Sequence, residues 1–368
     1  MEHQKKKYSY EQERRNHRAS LVTASVFAVL VIGVGCIFAY AGCSSSQGNA
    51  PAPAVESSAN TTAGGDGTTP ALNVTDVPAD TSPSQGNLLD PAHTSGPNSS
   101  AIASDGQELP ADLVAQIQGI GDSCGMDAGI AVIDLKTGAR GGYQADDSMI
   151  SASMIKLIIA EAFLQQVASG NIGLDEYYTL QSSDIVGGTG SLGGYGAGAQ
   201  VTYGEMLNKM ISESDNTATN IIIDRVGMDA VNAEADLLGL EGTKLNRYMM
   251  DYDAIAAGNE NYVSANDVAQ LLEMIYDGTF VDARCSDIML QALEQQVDYG
   301  GIMAGLPDNV VFAHKTGTLD SVLHDGGIVE GEHPFVVVVL CGGPGFYVQG
   351  AMTTMAQVAD AAYTYIAG

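Results

Sequence analysis

The chain has 368 residues, with 15 basic against 44 acidic side chains and a formal net charge of −29. Six of the basic residues fall in the first twenty positions, so the remainder carries 9 basic and 41 acidic residues, a net of about −32. Such a surface repels nucleic acid and phosphate-rich partners and serves solubility or salt adaptation. The six histidines are scattered and no metal-ligand spacing occurs, so neither a metal nor another cofactor is expected.

Residues 1–20 form a short basic segment. From Leu21 to Gly42 there is no charge, and only Thr23, Ser25 and Tyr40 bring polar groups. At ~1.5 Å per helical residue that run crosses a bilayer. Basic residues precede it and none follows before Lys136, which predicts a cytoplasmic N-terminus and an extracytoplasmic body. Ala41-Gly42-Cys43-Ser44 also resembles the end of a bacterial lipoprotein signal. Residues 21–43 are therefore read as a membrane anchor or as a signal ending at a lipidated Cys43. Residues 44–106, rich in Ser, Thr, Pro, Ala, Gly and Asn and without Lys or Arg, read as a flexible tether. The folded body is then 107–368, expected as a monomer. Its three cysteines, Cys124, Cys285 and Cys341, allow one disulfide at most.

Within the body, Glu108 to Ile120 reads as a helix and Ala128 to Leu135 as a strand. Lys136-Thr137-Gly138 turns into a second strand ending near Tyr143. Ser153 to Val167 is apolar nearly all round, which predicts a buried helix. Thr202 with Glu205 forms a capping box for a helix to about Glu213, and helices follow at Thr217–Val226 and from Ser264 to Tyr276. Val310 to His314 predicts a strand, Gly326–Val329 and Phe335–Cys341 a hairpin, and Tyr347–Ala367 a closing helix.

Three strings lie on this framework in order: Ser153-Met154-Ile155-Lys156, Ser214-Asp215-Asn216 and Lys315-Thr316-Gly317. The serines are 61 residues apart, and Lys315 follows Ser214 by 101. Ser153 and Lys156 at the start of a helix share one face, where free N–H groups favour developing negative charge. A serine hydroxyl needs a base to take its proton, and a buried lysine beside another cation can be neutral enough to do so. Lys136-Thr137-Gly138 duplicates the third motif but precedes the nucleophile and reads as a plain turn.

Together the three strings resemble the catalytic set of the penicillin-recognising serine enzymes, with spacings close to those of class A β-lactamases. The resemblance covers about 107–368 and implies an α+β fold, an antiparallel sheet flanked by helices plus an all-helical lobe. It implies Ser153 as nucleophile, Lys156 as base, Ser214 as proton relay to the departing nitrogen, and Asn216 as ligand of the substrate's amide side chain. Lys315 and Thr316 would bind the substrate carboxylate, and Gly317 would allow close approach. The N–H groups of Ser153 and Thr318 would form the oxyanion hole.

Two departures shape the expected activity. Class A β-lactamases carry a water-activating glutamate on the loop after Ser-Asp-Asn, and here the alignment puts Met249 in its place. Asp251 and Asp253 lie near but read as solvated loop acids. No arginine occurs from Thr318 to Glu332, and His324 is read as structural. The leading expectation is a membrane-tethered serine acyl-hydrolase, D,D-carboxypeptidase-like on D-Ala-D-Ala peptides and slow to release β-lactams. The alternatives are a β-lactamase with an unusual deacylation base and a non-turnover sensor of β-lactams or peptidoglycan.

Overall fold

Phe335-Val336-Val337-Val338-Val339-Leu340-Cys341 contains no polar side chain, the pattern of a strand covered on both faces. In the structure, a computed structural model that describes residues 107–368, these residues lie in the middle strand of a five-stranded sheet. The elements are α1 Ala111–Ser123, β1 Asp127–Asp134, β2 Arg140–Tyr143 and β3 Met149–Ile150. A 3₁₀ turn, Ala152–Ile155, leads into α2 Lys156–Ala168. Then come β4 Tyr177–Thr179, β5 Gln200–Thr202, α3 Tyr203–Ser212, α4 Asn216–Val226, α5 Met228–Leu237, α6 Tyr252–Ala256, β6 Tyr262–Val263, α7 Ala265–Asp277 and α8 Ala283–Glu294. The chain closes with β7 Val311–Leu319, β8 Val322–Glu330, β9 Phe335–Gly342 and α9 Val348–Ile366.

The sheet order is β2-β1-β9-β8-β7, every pair antiparallel. Odd-numbered residues of β9 (Phe335, Val337, Val339, Cys341) pack with α1 and α9, through Leu113, Ile117, Ala351, Met355 and Val358. Its even-numbered residues (Val336, Val338, Leu340) face the opposite way, into a core shared with α2, α3, α4, α7 and α8. The expected α+β fold, a helix-flanked antiparallel sheet beside a helical lobe, is present.

Several boundaries differ from expectation. The first helix begins at Ala111, not Glu108, because Pro110 stands at its N-cap, where a residue without N–H and with fixed φ is tolerated. The expected helix from Ser153 splits into the 3₁₀ turn and α2. The third strand runs on to Leu319, so Lys315-Thr316-Gly317 sits inside it instead of ending it. Thr202 caps α3 by accepting from Glu205 N at 3.1 Å, while the Glu205 carboxylate turns to the Tyr195 hydroxyl at 2.8 Å. Ser264 caps α7, accepting from Asp267 N at 3.1 Å. Lys136-Thr137-Gly138 is the turn between β1 and β2, with Gly138 at φ 74°. All three cysteines of the body are free thiols. The basic segment, the span 21–42, Cys43 and the tether lie outside the described residues.

Inside the helical lobe Glu161 of α2 is wholly buried beside Glu234 of α5. Glu161 Oε2 and Glu234 Oε1 are buried without a donor, although Gln165 Nε2 donates to Glu161 Oε1 at 3.2 Å. Burial first, then the charge of Glu234, pushes the Glu161 carboxyl well above the usual range, and burial raises Glu234 as well. The pair therefore holds a proton at neutral pH, which gives the two orphan oxygens a hydrogen to share. A carboxyl raised by folding stabilises fully below its unfolded value, and that contribution is lost as pH rises through the folded value. Glu161→Gln should therefore gain stability with rising pH, near zero at about pH 5 and on the order of 1 kcal/mol or more at about pH 9. Urea midpoints across that range measure it; a gain independent of pH would contradict the shared proton.

Candidate active site

The site gathers where the 3₁₀ turn, the α3–α4 junction and β7 meet. Ser153 lies in the turn, half-buried, after Ala152 held at φ 43°. Non-glycine residues pay strain there, and such strain collects at functional sites. β7 is one of the sheet's two edge strands, and it packs on this turn through Gly317. A Cβ on Gly317 would lie 3.2 Å from Ser153 N and 3.2 Å from Ala152 Cβ, so the glycine permits the close approach of β7 to the turn.

Ser214 occupies the turn between α3 and α4 with φ 55°. The turn is fixed by Asp215, which is fully buried and caps α4 by accepting from Ala218 N at 2.8 Å. Its second oxygen accepts from Leu192 N at 2.7 Å, tying down the glycine-rich segment 187–190. Gly190, at φ 101°, has no room for a side chain, since a Cβ would strike the Asp215 carboxylate. That segment supplies Thr189, whose hydroxyl donates to Ser214 O at 2.6 Å, and Gly187 O, which accepts from Asn216 Nδ2 at 3.1 Å.

Two buried lysines converge on Ser214. Lys156 Nζ donates to Ser214 Oγ at 3.1 Å, Ser214 O at 2.6 Å and Asn216 Oδ1 at 2.9 Å. Lys315 Nζ donates to Ser214 Oγ at 3.1 Å and to Thr316 O at 2.8 Å. A hydroxyl has two acceptor lone pairs and one proton. With both lone pairs of Ser214 taken by amines, its O–H is left to point at a third group, the arrangement a proton relay requires.

Burial first, then the charge of Lys315, drives the Lys156 amine well below its usual range, against a partial lift from Asp215. Burial also brings Lys315 down to about 7, opposed by Asp298 and Asp325. The shift of Lys156 favours the neutral amine that a base must be; in that form it has two hydrogens for its three polar neighbours, and its lone pair is free to take a proton. No described hydrogen bond joins Lys156 to Ser153. The lysine's contacts go to Ser214 and Asn216, so the shared face expected for Ser153 and Lys156 is not closed by a direct bond.

The expected residues thus come together as Lys156, Ser214, Asn216, Lys315 and Thr316 in one hydrogen-bonded cluster, with Ser153, Gly317 and Thr318 at its edge. Sequence reasoning missed Thr189, although the glycines around it were a signal. It also missed Asp298, in the connection after α8, whose Oδ2 accepts from the Thr316 hydroxyl at 3.1 Å. No motif marked it. Among the described residues no group of three or more His, Cys, Asp or Glu could hold a metal, and no helix is long and apolar enough to cross a membrane.

A model of the β-lactamase enzyme family matches residues 112–366. The chain belongs to that family. Its relatives include β-lactamase AER-1 of Aeromonas hydrophila, 26% identical over 51% of this chain and 63% of that enzyme, so less than two thirds of it is spanned. β-Lactamase CTX-M-8 of Citrobacter amalonaticus is 25% identical over 62% of this chain and 80% of that enzyme. Among solved structures, PBP-A is 29% identical with a TM-score of 0.65, covering 70% of this chain and 97% of that one. A point mutant of PBP-A, solved as an acyl-enzyme complex with penicillin G, matches equally. An ancestral class A β-lactamase is 25% identical with a TM-score of 0.62, covering 68% and 99%. As a member of this β-lactamase-like family, the chain is a serine hydrolase.

The loop after the second motif, where the sequence reading expects Met249 in place of a glutamate, is firmly held. Met249 is buried in the helical-lobe core, and its backbone is clamped by Asn220, through Met249 N to Oδ1 at 2.8 Å and Nδ2 to Met249 O at 3.1 Å. A partly buried ion pair, Arg247–Glu260 at 2.7 Å, and Asn261, accepting from Arg247 N at 3.0 Å, fix the residues before it. Asp251 does not reach inward: it caps α6, accepting from Ala254 N at 2.9 Å, and Asp253 is exposed. His324 is buried between Ile150 O, at 2.7 Å, and Cys341 N, at 3.2 Å, and burial holds it down at about 4. It is part of the sheet's packing.

Proposed function

We propose that this protein is a D,D-peptidase-like acyl-enzyme that β-lactams trap at Ser153. The observation that carries the reading is Ser214 Oγ held 3.1 Å from both Lys156 Nζ and Lys315 Nζ. In the proposed reaction Ser153 Oγ bonds to the carbonyl carbon of the penultimate D-Ala, or of a β-lactam ring, and the C–N bond breaks. The serine's proton passes to Lys156 and reaches the departing nitrogen through Ser214. The N–H groups of Ser153 and Thr318 hold the oxyanion, Asn216 the acyl side chain, and Lys315 with Thr316 the far end of the substrate. Water then hydrolyses the ester, and here Met249 supports a slow step, because a thioether cannot orient or deprotonate water. The body would work outside the membrane, reached through the tether from an anchor at 21–43 or a lipidated Cys43.

A second reading, turnover of β-lactams, is favoured by the names of the curated relatives, which are β-lactamases. One experiment separates the two. The full chain is incubated with a penicillin while protein mass and free drug are followed. The peptidase-like reading expects a lasting adduct that Ser153→Ala abolishes. Rapid drug loss without an adduct would favour the β-lactamase, and neither adduct nor turnover would overturn both.

A further inference from the structure

Asp298 accepts from the hydroxyl of Thr316, the residue that the resemblance assigns to the substrate's carboxylate. We infer that Asp298 sets the charge preference of this subsite: the substrate group received by Lys315 and Thr316 is an uncharged carboxamide or peptide bond in preference to a free carboxylate. The inference rests on the acyl-enzyme reading above and narrows its substrate class.

The Thr316 hydroxyl donates to Asp298 Oδ2 at 3.1 Å, so the donor assigned to an incoming carboxylate is already engaged with one from the protein. Asp298 is exposed, but the backbone that carries it is fixed. Val297 N donates to Ser212 O at 3.0 Å and Gln296 Nε2 to Ile211 O at 3.1 Å, tying the strand of chain before it to the end of α3 that also places Ser214. Asp298 N donates in turn to Gln296 Oε1 at 3.1 Å, and Gly300 N to Asp298 O at 3.1 Å. The same helix end thus positions both the relay serine and this acid.

The cations available to a substrate carboxylate are few. Among the described residues Arg140 pairs with Glu273, Arg247 with Glu260 and Lys209 with Glu213, and no arginine follows Lys315 on β7 or β8. Lys315 itself lies within the electrostatic reach of Asp298 and Asp325. A carboxylate entering here would have to displace Asp298 from Thr316 and then remain beside it, two like charges in one subsite. A carboxamide meets no such conflict. Its oxygen accepts from Thr316 or Lys315, and its N–H donates to Asp298, so every polar group finds a partner. A penalty on one ligand and a new hydrogen bond for the other act in the same direction.

The test compares an N-acyl-D-alanyl-D-lactate with the corresponding D-lactamide on the full chain. In both, Ser153 Oγ bonds to the alanyl carbonyl carbon and the ester C–O bond breaks. The serine's proton leaves on lactate or lactamide, and water later frees the acyl group. The wild type should react faster with the lactamide. In Asp298→Asn and in Asp298→Ala, the ratio of kcat/KM for lactate over lactamide should rise by about tenfold or more. A ratio unchanged within about threefold in both variants would overturn the inference while leaving the acyl-enzyme reading intact. If neither substrate reacts and the mass of Ser153 stays unmodified, the acyl-enzyme reading falls, and this inference falls with it.

Discussion

Lys156→Met should slow acylation of Ser153 by about 10²–10⁴-fold while leaving the protein folded, the loss expected when a general base is removed. Lys156 is fully buried, and methionine fills most of its volume, so the change removes the amine more than the packing. Ser214 Oγ then keeps only Lys315 as a donor, and Asn216 Oδ1 loses its 2.9 Å partner. Rapid-quench mass measurement of the penicillin adduct reads the rate; an unchanged rate would remove Lys156 from the proton path. The wild-type pH profile should be bell-shaped. On the acid side the rate falls as Lys156, neutral by virtue of burial and of the Lys315 charge, takes up its proton. On the alkaline side it falls as Lys315, held at about 7, loses its own. The two apparent values belong to the coupled pair and not to either lysine. Stability has its own sign: an unfolded lysine binds a proton that the buried one gives up, so folding free energy grows with pH from about 7 to about 10.4 through Lys315.

The second large effect is on stability. Asp215→Ala should cost about 2–4 kcal/mol, because two buried N–H groups, Ala218 and Leu192, lose their acceptor together. The loss releases the glycine-rich segment as well as the start of α4, so Thr189 and Ser214 move with it. Asp215→Asn keeps an acceptor oxygen and should recover at least half of the difference, on the order of 1–2 kcal/mol. Guanidinium midpoints for the three proteins measure this. Equal midpoints for wild type and Asp215→Ala would show that water replaces the aspartate at no cost.

What the sequence disclosed depended on whether the physics was local. Ser264, Thr202 and Asp215 cap the helices that follow them, and caps are read within four residues. The β9 run was legible because burial on both faces leaves a continuous apolar string. Strands β3 and β6, two residues each, carry no period at all and exist through tertiary pairing of Met149 with Val263. The extension of β7 past Lys315 was hidden because polar Thr316 and Thr318 line a site and not a core. The three motifs were legible as strings, yet the meeting of Lys156 and Lys315 at one hydroxyl is a property of chain segments 159 residues apart. Asp298 illustrates the limit most clearly. Nothing within ten residues of it in sequence distinguishes it from the other loop acids, and only the register of the loop against α3 brings it to Thr316.

The two-faced β9 also constrains how the molecule can be made. Its odd-numbered side chains are covered by α1 and α9, which come from opposite ends of the folded body, and α9 consists of the last helix of 19 residues. A chain emerging N-terminus first from a ribosome leaves the part of that face that α9 covers open to water until α9 arrives. Closure of that face therefore waits for α9, and a chain truncated within α9 leaves an apolar sheet surface prone to association.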